Sequence, residues 1–344
     1  EAATIAAVRA ARAMLDSGFT AGISAGGLYR VDVHLRDAIS AGRLPGPRLL
    51  AAGRDLCQTG GMHDGGMSRP AWGDGVGMLV DGPWEVRRAV RQLIREGADL
   101  VTMAVTGDGL LRCRQTEVTC TQEEVSALAE EAHRRQRPCA VQARTAEGCK
   151  LAARARADLI NHAAFLDDEA LDLAAEAGCF LVPALDSLVT ALEHARDGGF
   201  ARLGSYNDFL DRTRYEAELD AALDTVAAAQ KRGIRLLAGG DFGFCWCPHG
   251  TYARELTHLV QLAGCRPLDV LVAATRQGAV AMGMHDRIGT LEAGKLADLI
   301  VVEGNPLHDI ALLEDRRNIP FVMKDGRFFR RPAVAEAAVA TRMQ

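Results

Sequence analysis

The sequence predicts an α/β fold made of parallel βα units, followed by a small all-β segment. Amphipathic helices alternate with short strands that are apolar throughout, and a glycine often separates each helix from its strand. Strands of this kind are buried on both faces, which is typical of parallel sheets. Seven such strands precede Asp241, and 344 residues suffice for a barrel of about 250 residues and a smaller second unit.

The elements can be assigned in chain order from periodicity and punctuation. A helical pattern begins at Glu1. The seven strands are predicted at residues 19–24, 48–52, 100–105, 139–142, 158–161, 179–185 and 234–238. A helix is predicted around 86–94, where apolar residues recur at helical spacing. Another is predicted to begin at a capping box formed by Thr121 and Glu124.

The pattern changes after a predicted helix near residues 267–282. Short strands are predicted at 288–290, 299–302 and 321–329. Asp325-Gly326 in the last segment is a strong signal for a type I′ hairpin. A β unit of this size needs partner strands to fold. We therefore divide the chain into a barrel domain over 1–285, a small β unit over 286–330, and a tail over 331–344 that is predicted to be helical.

Composition excludes several classes of protein. The net charge is −5, and basic residues are interspersed with acidic ones, so no nucleic-acid-binding stripe is predicted. No apolar run is long enough to span a membrane, and no signal peptide is recognised. The nine cysteines are odd in number and scattered. That distribution favours reduced thiols in the cytoplasm over a disulfide framework.

Several stretches of the chain carry recognisable motifs. They are Gly46-Pro47-Arg48-Leu49-Leu50, Gln58-Thr59-Gly60-Gly61, Gly97-Ala98-Asp99-Leu100, His162 with Phe165-Leu166-Asp167-Asp168-Glu169, Gly239-Gly240-Asp241, Pro248-His249-Gly250-Thr251 and Ile288-Gly289-Thr290-Leu291-Glu292-Ala293-Gly294-Lys295-Leu296-Ala297-Asp298-Leu299. Together they resemble the amidohydrolase superfamily, in its imidazolonepropionase-like and prolidase-like branch. The resemblance implies a distorted (β/α)8 TIM-like barrel with a small β-sandwich made from both chain ends. It also implies that strand one and the first sandwich strands lie outside the given sequence.

The resemblance implies hydrolysis by a metal-bound hydroxide. In such relatives the ligands are His-x-His on strand one, a carboxylated Lys on strand four, His on strands five and six, and Asp on strand eight. His162 and Asp241 keep the last two positions. Thr102 stands in place of the lysine, Gln142 in place of the strand-five histidine, and Arg144 in place of another histidine nearby. A binuclear centre is therefore not expected, because a neutral amide is a poor ligand beside imidazole.

A single divalent ion remains an alternative. Zinc requires three or four protein ligands, so His162 and Asp241 would bind it only together with a His-x-His pair from outside the given sequence. Without that pair, Asp241 is predicted to accept a proton, and His162 to act as its partner or as an electrophile. The expected cofactor is therefore none, or one divalent metal, with zinc first.

Five further residues are candidate substrate contacts at the same face of the barrel, namely Thr102, Gln142, Arg144, His63 and His249. Gln142 is either a substrate-binding amide or an inert replacement. Arg144 either grips a substrate carboxylate or pairs with a nearby acid. Thr102 is more simply interpreted as a residue that lines the barrel than as a catalytic group. His63 could equally stabilise its own loop.

Three functions are compatible with these residues. The first is an amidohydrolase-type enzyme that acts on a small polar molecule by metal-free or single-metal acid/base chemistry, hydrolysing a C–N bond or catalysing a dehydration, cyclisation or isomerisation. The second is a conventional mononuclear metal-dependent hydrolase of cyclic amides or dipeptides. The third is a catalytically silent homologue that serves as a binding or assembly subunit, which bulky apolar side chains in the mouth would indicate. The resemblance also implies self-association of the chain.

Overall fold

The structure is a computed structural model that describes residues 1–64, 76–108, 113–197 and 212–332. Its α-helices are α1 (Ala2–Asp16), α2 (Val31–Ser40), α3 (Pro83–Arg95), α4 (Gln122–Arg134), α5 (Ala146–Arg154), α6 (Asp168–Ala177), α7 (Leu185–Arg196), α8 (Arg212–Lys231), α9 (Ala253–Gln261), α10 (Pro267–Val272) and α11 (Gly278–Ala281). Its strands are β1 (Ala21–Ile23), β2 (Arg48–Leu50), β3 (Asp55–Cys57), β4 (Gly77–Leu79), β5 (Val101–Ala104), β6 (Cys139–Thr145), β7 (Leu159–Phe165), β8 (Phe180–Val182), β9 (Arg235–Leu236), β10 (Leu299–Val301), β11 (Phe321–Lys324) and β12 (Arg327–Arg330).

The parallel strands form one curved wall. Seven of them lie in the order β4-β3-β5-β6-β7-β8-β9, with every neighbouring pair parallel, and β1 pairs with β2 in the same sense. The backbone N–H of Asp99 donates to the carbonyl of Ala51 at 2.7 Å, which joins the chain after β2 to the chain before β5. Helices connect most of the successive strands, which is typical of parallel pairing.

All seven predicted barrel strands are confirmed, with shifted ends. The structure adds β3 and β4, which the sequence analysis did not predict because each has only three residues and sits beside glycine-rich turns. The predicted strand at 288–290 is wrong, since these residues form a bend. There Gly289 has φ +93° and passes so close to Ala279 that a side chain would collide with it. This contact places Ile288 against α11 rather than in a sheet.

The helix signals are also confirmed. Thr121 and Glu124 form a capping box at the start of α4, in which each side chain accepts the other residue's backbone N–H. The predicted helix near 267–282 is present as α10 and α11, joined by a π-helical turn over Ala273–Gln277. None of the described helices combines the length and the hydropathy needed to cross a bilayer.

A small antiparallel sheet follows the barrel. Its strand order is β10-β11-β12, and β11 and β12 form the predicted hairpin. Asp325 and Gly326 both have positive φ, at +52° and +73°, as a type I′ turn requires. The division of the chain at residue 285 remains a prediction, and residues 333–344 of the predicted tail helix lie outside the described residues.

Several apolar clusters hold the barrel together. The largest lies between the outer face of the sheet and helices α3 to α6, and a second packs helices α7 to α10 together beside β7. A smaller one closes the inside of the barrel near the amino ends of the strands and consists of Ala52, Leu100, Ala140, Leu159, Phe180, Leu237 and Ala281. This smaller cluster is called the floor below. The polar side chains nearer the carboxyl ends of the strands stand above it.

Candidate active site in the barrel mouth

Asp55 and Thr102 face the inside of the barrel above the floor. Leu56 pairs with Met103 across β3 and β5, and both belong to the outer apolar cluster. Because side chains alternate along a strand, the preceding residue of each pair points inward. Asp55 is 1% exposed, and a Cβ on Gly26 would lie 3.4 Å from its Cβ and 3.8 Å from Oγ1 of Thr102.

Asp55 accepts hydrogen bonds from two of the candidate residues. Nε2 of His63 lies 2.8 Å from Oδ2 of Asp55, and the amide nitrogen of Gln142 donates to the same oxygen. Burial opposes a charge on His63, but the hydrogen bond and the charge of Asp55 outweigh it and raise the pKa of the imidazole. His63 therefore braces its loop and also places a protonatable ring above the floor.

Three buried polar atoms in this region have no hydrogen-bond partner among the described residues. They are Oδ1 of Asp55, Oγ1 of Thr102 and Nε2 of Gln58. Unpaired buried polar atoms are rare, and they commonly mark the place of a water molecule or a ligand. Polar rather than bulky apolar side chains thus surround the mouth, which favours the two enzyme interpretations over the silent homologue.

Arg144 pairs with a buried acid on α8. Its Nε donates to Oε1 of Glu218 at 2.9 Å, and Nη1 donates to the carbonyl of Gly107 at 3.0 Å. The two side chains are 7% and 1% exposed. Burial raises the pKa of Glu218, and the facing guanidinium of Arg144 counteracts this effect. Of the two alternatives for Arg144, the structure therefore shows the pairing with an acid.

His162 stands beside this ion pair. Nη2 of Arg144 approaches Nε2 of His162 to 3.4 Å, and since a guanidinium only donates, Nε2 is the acceptor and the ring proton lies on Nδ1. Burial, together with the charge of Arg144, lowers the pKa of His162 well below 6.5. His162 and Ala163 both have positive φ, at +71° and +49°, where the register of β6 and β7 is also irregular. Such strain in non-glycine residues is common at functional sites.

Asp241 follows β9, the last strand of the parallel sheet, and also has a positive φ of +57°. Asp241 is exposed to solvent, although many protein atoms lie around its carboxylate. Burial raises the pKa of Asp241, the carboxylates of Asp108 and Asp55 raise it further, and the charges of Arg144 and His63 lower it. The last strand thus presents a carboxylate of increased basicity among these groups.

His249 lies in the same loop region as Asp241. Its Nδ1 is 2.9 Å from the hydroxyl of Tyr252, and its Nε2 points towards Gly243. Burial lowers the pKa of His249. The ring is therefore a neutral group in this loop, and its role as a substrate contact remains a prediction.

Three acidic residues of the site were missed by the sequence analysis, namely Asp55, Glu218 and Asp108. Asp55 begins a strand too short to recognise. Glu218 falls within the buried stripe of α8 between Tyr215 and Ala222. A charge on an otherwise buried helical face was the available signal for Glu218.

Comparison with known proteins finds relatives in sequence and in structure. Residues 1–329 match the sequence profile described as "Amidohydrolase family". The ochratoxinase of Aspergillus niger is 29% identical over 314 residues, which is 86% of this chain and 63% of that protein. The chain therefore spans less than two thirds of the length of this relative.

Two further relatives agree with this match. The imidazolonepropionase of Pyrobaculum arsenaticum is 34% identical over 94 residues, which is 27% of this chain and 23% of that protein. The crystal structure of a Xaa-Pro dipeptidase with bound methionine superposes with a TM-score of 0.82 and 33% identity, covering 95% of this chain and 79% of the dipeptidase. The predicted resemblance and the α/β barrel with a small antiparallel sheet are both confirmed.

Proposed function

The chain belongs to the amidohydrolase family, and on that premise we propose that it is an enzyme that hydrolyses a C–N bond of a small polar substrate in the barrel mouth. The observation that carries the proposal is the position of Asp241. A carboxylate with a raised pKa follows the last parallel strand and is close enough to Arg144, His63 and Asp55 for their charges to act on it. Perturbed acids of this kind in a mouth are candidates for proton transfer.

The residues present do not fit the pair of divalent ions usual in this family. Nε2 of His162 faces a guanidinium, whose positive charge opposes a cation at the same lone pair. The amide nitrogen of Gln142 is turned to Asp55, and Thr102 has no side chain that could carry a carbamate. Among the described residues, no three His, Cys, Asp or Glu ligand atoms of the mouth lie within 4.8 Å of one another. We therefore derive no step through a metal.

We assign the proton transfers to this chain's own residues. Asp241 accepts a proton from the attacking water, and the water oxygen bonds to the carbonyl carbon of the substrate. The proton then passes to the leaving nitrogen as the C–N bond breaks, which gives a carboxylic acid and an amine. Protonated His63 and Arg144 are the available donors to the carbonyl oxygen as it gains negative charge.

The remaining residues are assigned to binding. The unpaired oxygens of Asp55 and Thr102 offer hydrogen bonds to a substrate, and Gln142 holds Asp55 in place. His162 is neutral and orients Arg144, while His249 contributes from its loop. The names of the relatives point to peptide-like and amide substrates. We therefore expect a dipeptide, an N-acyl amino acid or a cyclic amide.

The test is amine release from a panel of such amides, measured for the wild type and for Asp241→Asn, before and after treatment with a chelator. The proposal predicts turnover that the chelator leaves intact and that Asp241→Asn abolishes. Loss of activity on chelation, its return with zinc, and loss of that zinc in Asp241→Asn would instead favour the mononuclear metal enzyme. Tight binding of a panel member with no product of any kind would favour the silent homologue. Conversion without amine release would favour the non-hydrolytic reactions.

A further inference from the structure

A second group of ligand-type side chains lies at the opposite end of the barrel from the mouth. His133 near the end of α4, Cys139 at the start of β6 and Asp158 just before β7 bring their ligand atoms within 4.8 Å of one another. Nε2 of His133 is 2.9 Å from Oδ2 of Asp158 and 3.8 Å from Sγ of Cys139. Among the described residues, this is the one group of three such donors that close together.

Asp158 already has a structural task in the backbone. Its Oδ2 accepts the N–H of Cys139 at 2.8 Å, while its own N–H donates to the carbonyl of Cys139 at 3.0 Å. This reciprocal pair fixes the amino ends of β6 and β7. The task explains an aspartate at this position, but it uses only backbone atoms of Cys139.

An equivalent pair two βα units earlier, at the start of β5, shows what that task requires. Oδ2 of Asp99 accepts the N–H of Ala51 at 3.0 Å, and the N–H of Asp99 donates to the carbonyl of Ala51 at 2.7 Å. Helix α2, which precedes β2 as α4 precedes β6, supplies Arg36 as the cation that bonds Asp99. An arginine thus takes the place of His133, and Ala51 takes the place of Cys139. The imidazole of His133 and the thiol of Cys139 are therefore not needed to fix the strand ends.

Two of the separations are close to those of a tetrahedral zinc site. Bond lengths of about 2.0–2.3 Å place ligand atoms about 3.4–3.6 Å apart, and the distances of 2.9 Å and 3.8 Å from Nε2 of His133 to its two partners lie on either side of that range. The side chains of His133 and Asp158 are 41% and 40% exposed, which opens a path from solvent, whereas Cys139 is buried and closes the inner side. Imidazole, thiolate and carboxylate are all ordinary zinc ligands.

We propose that His133, Cys139 and Asp158 bind one Zn²⁺ or a similar thiophilic divalent cation, with water in the fourth position. The ion would join α4 to β6 and β7 at the amino ends of the strands. This site is separate from the mouth and does not depend on the proposed function. Its chemistry is a structural tie rather than catalysis, because the barrel floor lies between it and Asp241.

The test is a titration of the untagged, metal-free chain with Co²⁺, followed by absorption. The proposal predicts one Co²⁺ per chain, with a sulfur-to-metal charge-transfer band and the intense visible bands of tetrahedral cobalt, and displacement by Zn²⁺. The double variant His133→Arg/Cys139→Ala rebuilds the arrangement seen at Asp99 and should keep the fold. It should lose the sulfur band and bind at least about tenfold more weakly.

Two controls separate this site from other thiols and from the mouth. Cys265→Ala removes a buried cysteine elsewhere, and Asp241→Asn alters the mouth, so both should leave the titration unchanged. A spectrum without a sulfur band, or one that persists in His133→Arg/Cys139→Ala, would overturn the proposal. So would loss of binding in Asp241→Asn with retention in His133→Arg/Cys139→Ala, since the ion would then belong to the mouth.

Discussion

The guanidinium of Arg144 lies 3.4 Å from Nε2 of His162 and 2.9 Å from Oε1 of Glu218. It therefore holds an imidazole on one side and a carboxylate on the other, inside the barrel. Burial, together with the charge of Arg144, lowers the pKa of His162, so the ring stays neutral. His162, at a position that the family resemblance links to metal binding, thus faces a fixed side-chain cation.

Removing Arg144 alone should destabilise the fold strongly. Arg144→Met leaves the carboxylate of Glu218 buried without its partner, and breaking a buried pair in this way costs about 3–5 kcal/mol. The double variant Arg144→Met/Glu218→Met removes both charges and should cost much less than the sum of the single variants. Urea unfolding of all four proteins measures the coupling. Additive losses would show that the pair contributes no joint stability.

Asp241 can be tested without disturbing the backbone. Asn, like Asp, tolerates the left-handed φ of +57° found there, whereas alanine would add strain. Asp241→Asn should lower kcat by about 10²–10⁴-fold on the substrate found in the panel, because it removes the proton acceptor. Asp220→Asn on the exposed face of α8 is the matched control and should retain activity. Retained activity in Asp241→Asn would remove this residue from the mechanism.

The Asp55–His63 pair should make stability depend on pH. The folded protein holds the imidazole proton more tightly than the unfolded chain, because the pKa of His63 is raised above 6.5. Its contribution is complete below about pH 6.5 and is lost as the pH rises through the folded-state pKa. We expect the difference in unfolding free energy between the wild type and His63→Gln to shrink as the pH rises above about 6.5. The exposed His308→Gln should show no such trend. A constant difference for His63→Gln would contradict the pairing.

Local signals in the sequence were sufficient for much of the fold. Asp325-Gly326 fixes a type I′ turn by its own backbone preference, and Thr121 with Glu124 fixes a helix start within four residues. Both depend on neighbours in the chain. Ile288 and Asp55 show the limit of such local signals. Ile288 does not lie in a strand because a contact with α11 determines the conformation at the next residue, Gly289. Asp55 begins β3, a strand that is defined by its pairing with β4 and β5.

In the candidate site too, some residues could be placed from the sequence, whereas others depend on contacts between distant segments. The family resemblance was sufficient to place His162 and Asp241 on the sixth and last strands of the barrel, and parallel strands bring their carboxyl ends together. The fate of Arg144 could not, because its partner Glu218 lies 74 residues further along the chain. The role of Gln142 likewise depends on Asp55, which is 87 residues away. Pairings over such distances exist only once the barrel has formed.

The capping box of α4 offers a quantitative check of the local signals. Thr121→Ala removes the acceptor for the N–H of Glu124 and should cost about 1 kcal/mol. Glu124→Ala should cost more, about 2 kcal/mol or above, because Glu124 also accepts the N–H of Gly82 at 2.7 Å and is 5% exposed. Its loss leaves two backbone donors unpaired and frees the start of α3 from α4. In urea unfolding, Glu124→Ala should therefore have a lower free energy of unfolding than Thr121→Ala, and the exposed Glu123→Ala should be closest to the wild type. Equal stability of the two Glu variants would show that the bond between the two helix starts contributes nothing.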